Sequence, residues 1–147
     1  MQPYGTILGT THGNVLIYSN NKEDGYYQCV ELARRYWLKN FNVEIPNVQN
    51  AYSLKDLKYV FDRKENRSIP VTFYESIAPK IGDLLIWKPV GVMKPHGHVA
   101  VIVKVGKHTV DIVEQNLKTF QRTLTLDKHR IECTYKTGKI SGILRVK

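Results

Sequence analysis

Residues 25–37 read GYYQCVELARRYW. Cys29, Leu32, Ala33, Tyr36 and Trp37 fall at i, i+3, i+4, i+7 and i+8, so they share one apolar face of a helix expected within residues 26–41. Cys29, one of 2 cysteines in the chain, then stands in the first turn, beside Gln28. A helix N-terminus carries unpaired N–H groups and partial positive charge, and both favour an anion. The thiolate, not the thiol, is the nucleophile of cysteine chemistry. A lone cysteine on an apolar face serves equally well as a small buried hydrophobe. A base within reach, and a group to orient that base, separate the two readings.

Working outward, residues 97–105 read GHVAVIVKV, a strand opened by a histidine. Side chains alternate along a strand, so His98, Ala100 and Ile102 share one face and Val99, Val101 and Val103 the other. A polar side chain at the mouth of so apolar a strand needs water or a partner. The next strand-like run, HTVDIVEQN at 108–116, ends in Glu114, Gln115 and Asn116. A hairpin turning over Gly106–His108 pairs residues whose numbers sum to 214. That register sets His98 opposite or nearly opposite Glu114 or Asn116, and cross-strand neighbours lie about 5 Å apart. A carboxylate or an amide there would hold an imidazole in one tautomer. Nucleophile, base and orienting residue then occur in the order Cys, His, Glu or Asn.

The remaining elements frame these two. Residues 5–20 read as two short strands around a Gly/Thr/Asn turn. Residues 40–50, with Pro46 and several Asn, read as loop. SLKDLKYVFDRK at 53–64 offers Ser53 as N-cap and Leu54, Leu57, Val60 and Phe61 as the apolar face of a second helix. The stretch from Glu65 to Gly82 reads as mostly irregular, with a short strand at 71–74. Strands are expected at 82–89 and 142–147. Helices first and an antiparallel meander after them is the α+β pattern. At 147 residues the chain is expected to form a single domain, 1–147, able to bury a real core.

Composition excludes some classes. No apolar run approaches the roughly 20 residues of a membrane span, so no membrane is expected. The first residues lack a basic start and an apolar core, which predicts a cytoplasmic protein. Two cysteines in that setting predict free thiols rather than a disulfide framework. The net charge is +9, but the Lys and Arg residues are scattered and form no nucleic-acid motif, so no specific nucleic-acid partner is expected. A solvated lysine-rich surface accounts for the charge, and so does attraction to an anionic polymer such as a cell wall.

These motifs together resemble a known family. QCVELARRYW, GDLLIW, GHVAVI, VEQN and the closing GILRV, with PYGTILG and NVLIYS near the start, are similar to the CHAP domain, the cysteine- and histidine-dependent amidohydrolase/peptidase fold of the papain-like class. Within that family the chain resembles the amidase domain of glutathionylspermidine and trypanothione synthetase/amidases. The resemblance implies helices packed on an antiparallel sheet and a thioester mechanism without metal or cofactor. It implies Cys29 as nucleophile, His98 as general base and Glu114 as the residue orienting it. Gln28 would help the Cys29 N–H form an oxyanion hole, Arg34 would face the substrate pocket, and Asn116 would support the site.

The expected substrate is a small amide conjugate like glutathionylspermidine. Other CHAP domains cut bacterial cell-wall peptides, and a basic domain suits an anionic wall, so peptidoglycan amidase or endopeptidase is the alternative. A basic binding module that has lost activity is a third reading, against which the intact Cys29, His98 and Glu114 stand. The bifunctional relatives carry a synthetase domain after the amidase, whereas this sequence runs to Lys147. His96 and His98 lack a third metal ligand nearby. Cys133 has no nearby base, His12, His108 and His129 read as surface residues, and Trp37 and Trp87 read as core.

Overall fold

In the computed structural model, which describes residues 3–11, 14–20, 28–115, 120–132 and 138–147, the helix begins at Cys29 and ends at Phe41 (α1). Gln28 precedes it with extended backbone. Asn42 ends it in the left-handed region at φ 56°, donating its N–H to the Leu38 carbonyl at 3.1 Å, a role asparagine tolerates better than most residues. The buried face is Leu32, Ala33, Tyr36 and Trp37, as the spacing predicts. Trp37 is fully buried, and its Nε1 donates to the Gly82 carbonyl at 2.8 Å, so the polar edge is satisfied inside the core.

Near the start of the chain β1 (Ile7–Thr10) and β2 (Leu16–Tyr18) form a two-stranded antiparallel ribbon. The main sheet has eight strands. They are β3 (Tyr59–Asp62), β4 (Arg67–Tyr74), β5 (Leu84–Trp87), β6 (His98–Val105), β7 (Thr109–Val113), β8 (Gln121–Asp127), β9 (Arg130–Glu132) and β10 (Ile140–Val146). Their order is β3-β4-β10-β5-β6-β7-β8-β9, with every pair antiparallel. The last strand therefore inserts between β4 and β5 and ties the two halves of the chain together. The central strands are buried on both faces. Leu84, Ile86, Val99 and Val101 pack in one cluster with the buried face of α1. Leu85, Ala100, Ile102, Ile112 and Leu124 form a second cluster with Trp87, which is also fully buried.

Three expectations need correction. The second helix does not form: residues Ala51–Asp56 make a short 3-10 helix, and the chain then turns into β3. The spacing of Leu54, Leu57, Val60 and Phe61 suits a helix, but Tyr59, Val60 and Phe61 also alternate exposed, buried, exposed. Pairing with β4 settles the ambiguity in favour of the strand. The N-cap is Asn50, whose Oδ1 accepts the Ser53 N–H at 3.0 Å, and not Ser53. Among the described residues α1 is thus the only α-helix packed on the sheet, where helices were expected.

The short strand expected at 71–74 is longer: β4 begins at Arg67, while residues 75–82 are irregular as expected. Pro70 is accommodated there because β4 changes neighbours around it: residues 67–70 pair with β3 and residues 71–74 with β10. A missing N–H is tolerated where a ladder ends. Finally, β8 and β9 lie where the sequence reading assigns no element. The run TLTL alternates exposed and buried within β8, and Lys128 takes φ 56° in the turn that follows.

Candidate active site

The site assembles where the start of α1 meets the start of β6. Cys29 is the first residue of α1 and keeps partial access to solvent. His98 opens β6 and is buried, 3% exposed. Its backbone is fixed by the preceding residues. Gly97 takes φ 75°, donates its N–H to the Met93 carbonyl at 2.8 Å, and lies against Trp87 and Tyr52. A Cβ at position 97 would fall 2.6 Å from the Trp87 carbonyl oxygen and 2.9 Å from Tyr52 Cβ. Gly97→Ala is therefore expected to cost about 2 kcal/mol or more, from the strained backbone and the clash together. A lower urea midpoint with reduced activity is the expected result; a midpoint unchanged from wild type contradicts it.

Glu114 follows directly after β7 and is fully buried. His98 Nε2 donates to Glu114 Oε1 at 2.7 Å. The thiol of Cys29 is coupled to the same imidazole through a side-chain hydrogen bond and through charge. The order of contact is thus Cys29, His98, Glu114. The register explains it. Val101 pairs with Val113 and Ile102 with Ile112, both sums of 214, so the expected pairing holds on the site's side of the hairpin. Beyond a bulge between Ile102 and Lys104 the pairing shifts by one, and Gly106 N–H bonds the Thr109 carbonyl at 2.8 Å.

The charges reinforce one another. Burial alone would raise the pKa of Cys29, but the hydrogen bond and charge of His98, with the N–H groups of Val99 and Val30, bring it below its ordinary value. Burial would lower that of His98, yet its contacts with Cys29 and Glu114 push it up to about 9. Glu114 is likewise held below the usual carboxylate range, because hydrogen bonds from His98 and Arg122 outweigh its burial. Both shifts run toward thiolate on Cys29 and imidazolium on His98.

Two residues in this cluster were not singled out from the sequence. Arg122, on β8, grips Glu114 with both ends of its fork, Nε to Oε2 at 2.5 Å and the second nitrogen to Oε1 at 2.9 Å. Its guanidinium lies over the Trp87 ring at 5.4 Å, and that ring packs 5.1 Å from the imidazole. Glu114 thus orients the histidine and is itself oriented. The signal was the alternation of residues 121–127, which puts Arg122, Leu124 and Leu126 on one face. Gln115, 1% exposed, joins the end of the sheet to α1. It donates to the Gln28 carbonyl and to Glu31 Oε1, both at 3.0 Å. Glu31 is in turn salt-bridged to Arg35 one turn along the helix.

The other expected residues fare differently. Gln28 stands directly before α1, with its carbonyl held as described. Arg34 is not brought to the thiol. It lies five residues on, roughly 140° around the helix from Cys29, and bonds Asn47 Oδ1 and the Pro46 carbonyl, each at 3.1 Å. There it borders a separate cleft of about 480 Å³. Asn116, Cys133 and His12 lie outside the described residues. His108 and His129 are exposed. Among the described residues no group of three metal-ligating side chains is gathered, and no helix is long and apolar enough to cross a membrane.

A model of the CHAP domain family matches residues 19–116, a span that holds Cys29, His98 and Glu114. The chain belongs to the CHAP domain family. As a CHAP domain it is a hydrolase acting on amide C–N bonds. It is similar to the bifunctional glutathionylspermidine synthetase/amidase of Escherichia coli (strain K12), 31% identical over 140 residues, with 78% of this chain and 23% of that protein covered. The protein of the same description from Shigella flexneri gives the same figures. Trypanothione synthetase of Crithidia fasciculata is 28% identical over 153 residues, with 92% of this chain and 23% of the relative covered. This CHAP chain thus spans about a quarter of the length of the curated relatives it matches.

Proposed function

We propose that the chain, taken over residues 1–147 as one CHAP domain, cleaves amides through a thioester formed on Cys29. The observation that carries this reading is the hydrogen-bonded line Cys29–His98–Glu114, with the thiol shifted toward thiolate and the imidazole toward imidazolium. The Cys29 thiolate attacks the amide carbonyl carbon. The oxyanion that forms is received by the Cys29 N–H, free of an intrahelical acceptor in the first turn. The C–N bond breaks as His98 gives its proton to the departing amine. Neutral His98 then takes a proton from water as that water attacks the thioester. Cys29 leaves as thiolate, the acid is released, and the ion pair is restored. Glu114 keeps the imidazole in place and stabilises its charged form, with Arg122 holding the carboxylate.

For the substrate we favour a small conjugate of the glutathionylspermidine kind, as the names of the similar proteins indicate. A cytoplasmic setting fits a free nucleophilic thiol, since the cytosol keeps thiols reduced. Cell-wall peptide is the second reading, favoured by the net charge of +9. The two differ in salt dependence. Binding to an anionic polymer weakens steeply with salt, because exposed charges are screened beyond about 8 Å at physiological ionic strength. Parallel assays on glutathionylspermidine and on purified sacculi, at low and high salt, separate them. Polyamine release with weak salt dependence and no clearing of sacculi is expected. Clearing of sacculi by wild type but not by Cys29→Ala, with no polyamine release, reverses the choice.

A further inference from the structure

The side-chain amide of Gln115 has a full set of partners. Its Oε1 accepts from the Tyr18 N–H at 2.8 Å and from Arg35 at 3.0 Å. Its Nε2 donates to the Gln28 carbonyl and to Glu31 Oε1. Two donors and two acceptors exhaust what a glutamine amide offers. The amide cannot be flipped, because an N–H and a guanidinium face one end while a carbonyl and a carboxylate face the other. Gln115 is therefore a rigid strut from the end of the sheet to the residue before the cysteine.

What it holds there matters for the chemistry. A peptide group is planar and trans, so its oxygen and its N–H point to opposite sides. The carbonyl of Gln28 belongs to the same peptide plane as the N–H of Cys29. Holding the oxygen from one side fixes the direction of that N–H on the other. Glu114 and Gln115 are consecutive: one side chain reaches His98 and the other reaches the Gln28–Cys29 peptide.

Resting on the reading of Cys29 as nucleophile, we propose that Gln115 is the positioning residue of the oxyanion site, aiming the Cys29 N–H at the carbonyl under attack. It touches neither substrate nor thiol. Glu31 and Arg35 hold it in turn, which gives that partly buried ion pair a part in the site.

The test compares two reactions of the same sulfur. Acylation of Cys29 by p-nitrophenyl acetate passes through a tetrahedral oxyanion. Alkylation by iodoacetamide occurs at a saturated carbon and forms none. Both are followed at Cys29 by peptide mass in wild type, Gln115→Met and Gln115→Glu. Methionine has similar length and no amide. Glutamate keeps both acceptor contacts and loses the Nε2 donors. Loss of an oxyanion-hole donor lowers rates by about 100- to 1000-fold, and a misaimed one is expected to slow acylation by about 10- to 100-fold. Alkylation and its pH dependence should stay within about twofold of wild type, as no oxyanion is involved.

Acylation unchanged in both variants overturns the proposal, and so do acylation and alkylation falling together, which is the mark of a structural role. If Gln115→Met does not fold, Gln115→Glu carries the comparison; failure of both to fold assigns Gln115 to folding and also overturns it. Failure of the nucleophile reading looks different. Wild type itself would then show no acylation at Cys29, before any change at position 115.

Discussion

Cys29→Ala is expected to lose amide hydrolysis by on the order of 10⁴-fold or more while the protein remains folded. Alanine fits the space of the thiol and suits the first turn of α1, so the loss is chemical rather than structural. The same thiol should react with iodoacetamide well before Cys133, and the difference should persist below neutral pH. The reason is the lowered pKa of Cys29, which His98 and two backbone N–H groups bring about against the opposing effect of burial. A cysteine kept only as a small buried hydrophobe would show neither property. Retained activity in Cys29→Ala, or equal labelling of the two cysteines at about pH 6, would end the nucleophile reading.

His98→Ala should be nearly as damaging as loss of the nucleophile, because residues that act as one unit are strongly non-additive. It should also remove the acid-side reactivity of Cys29, whose thiolate would lose its partner. The pH profile follows from the two shifts. On the acid side the Cys29 thiolate takes up a proton, and since its pKa is lowered, activity persists to lower pH than for an ordinary thiol. On the alkaline side the imidazolium loses its proton, and since His98 is pushed up to about 9, kcat/KM should fall only as pH rises through that value. Glu114→Gln takes away a charge that stabilises the imidazolium, so the alkaline limb should move down toward neutrality. This variant should be milder than Glu114→Ala, as an amide oxygen still accepts from the imidazole. An alkaline limb that does not move, or near-full activity in Glu114→Ala, would show that another group orients His98.

The candidate site was legible in the sequence because each of its main parts has a local cause. The period of residues 29–37 places Cys29 at a helix start, and the structure begins α1 there. A histidine opening an apolar strand and an acid closing the next are brought together by β-pairing, and their contact is 2.7 Å. The expected register holds on the site's side only because a bulge offsets the turn by one residue. The pairing near His98 holds, while a bulge toward the turn shifts the rest by one residue, and a bulge depends on local twist that the residue pattern does not specify.

Other features had no local signature. Residues 57–62 suit either a helix or a strand, and pairing with β4, together with the bridge from Phe61 to Glu44, decides for the strand. Pro70 speaks against a strand until it is seen that β4 changes partners around it. Arg34 shared a helix with Cys29 in the sequence, but the turn of that helix carries it to the loop at Pro46 and Asn47.

The sequence by itself determined α1 with its buried face, the ribbon β1–β2, the central strands β5, β6 and β7, and the order of cysteine, histidine and acid. These rest on periodicity and short-range pairing, in which each residue's neighbours in the chain are also its neighbours in space. Only the tertiary structure decided that β10 enters between β4 and β5, that Arg122 clamps Glu114, and that Gln115 reaches back 87 positions to the Gln28 carbonyl. Those contacts join segments whose separation along the chain carries no pattern. They exist because buried polar groups must find partners once the sheet has closed over them.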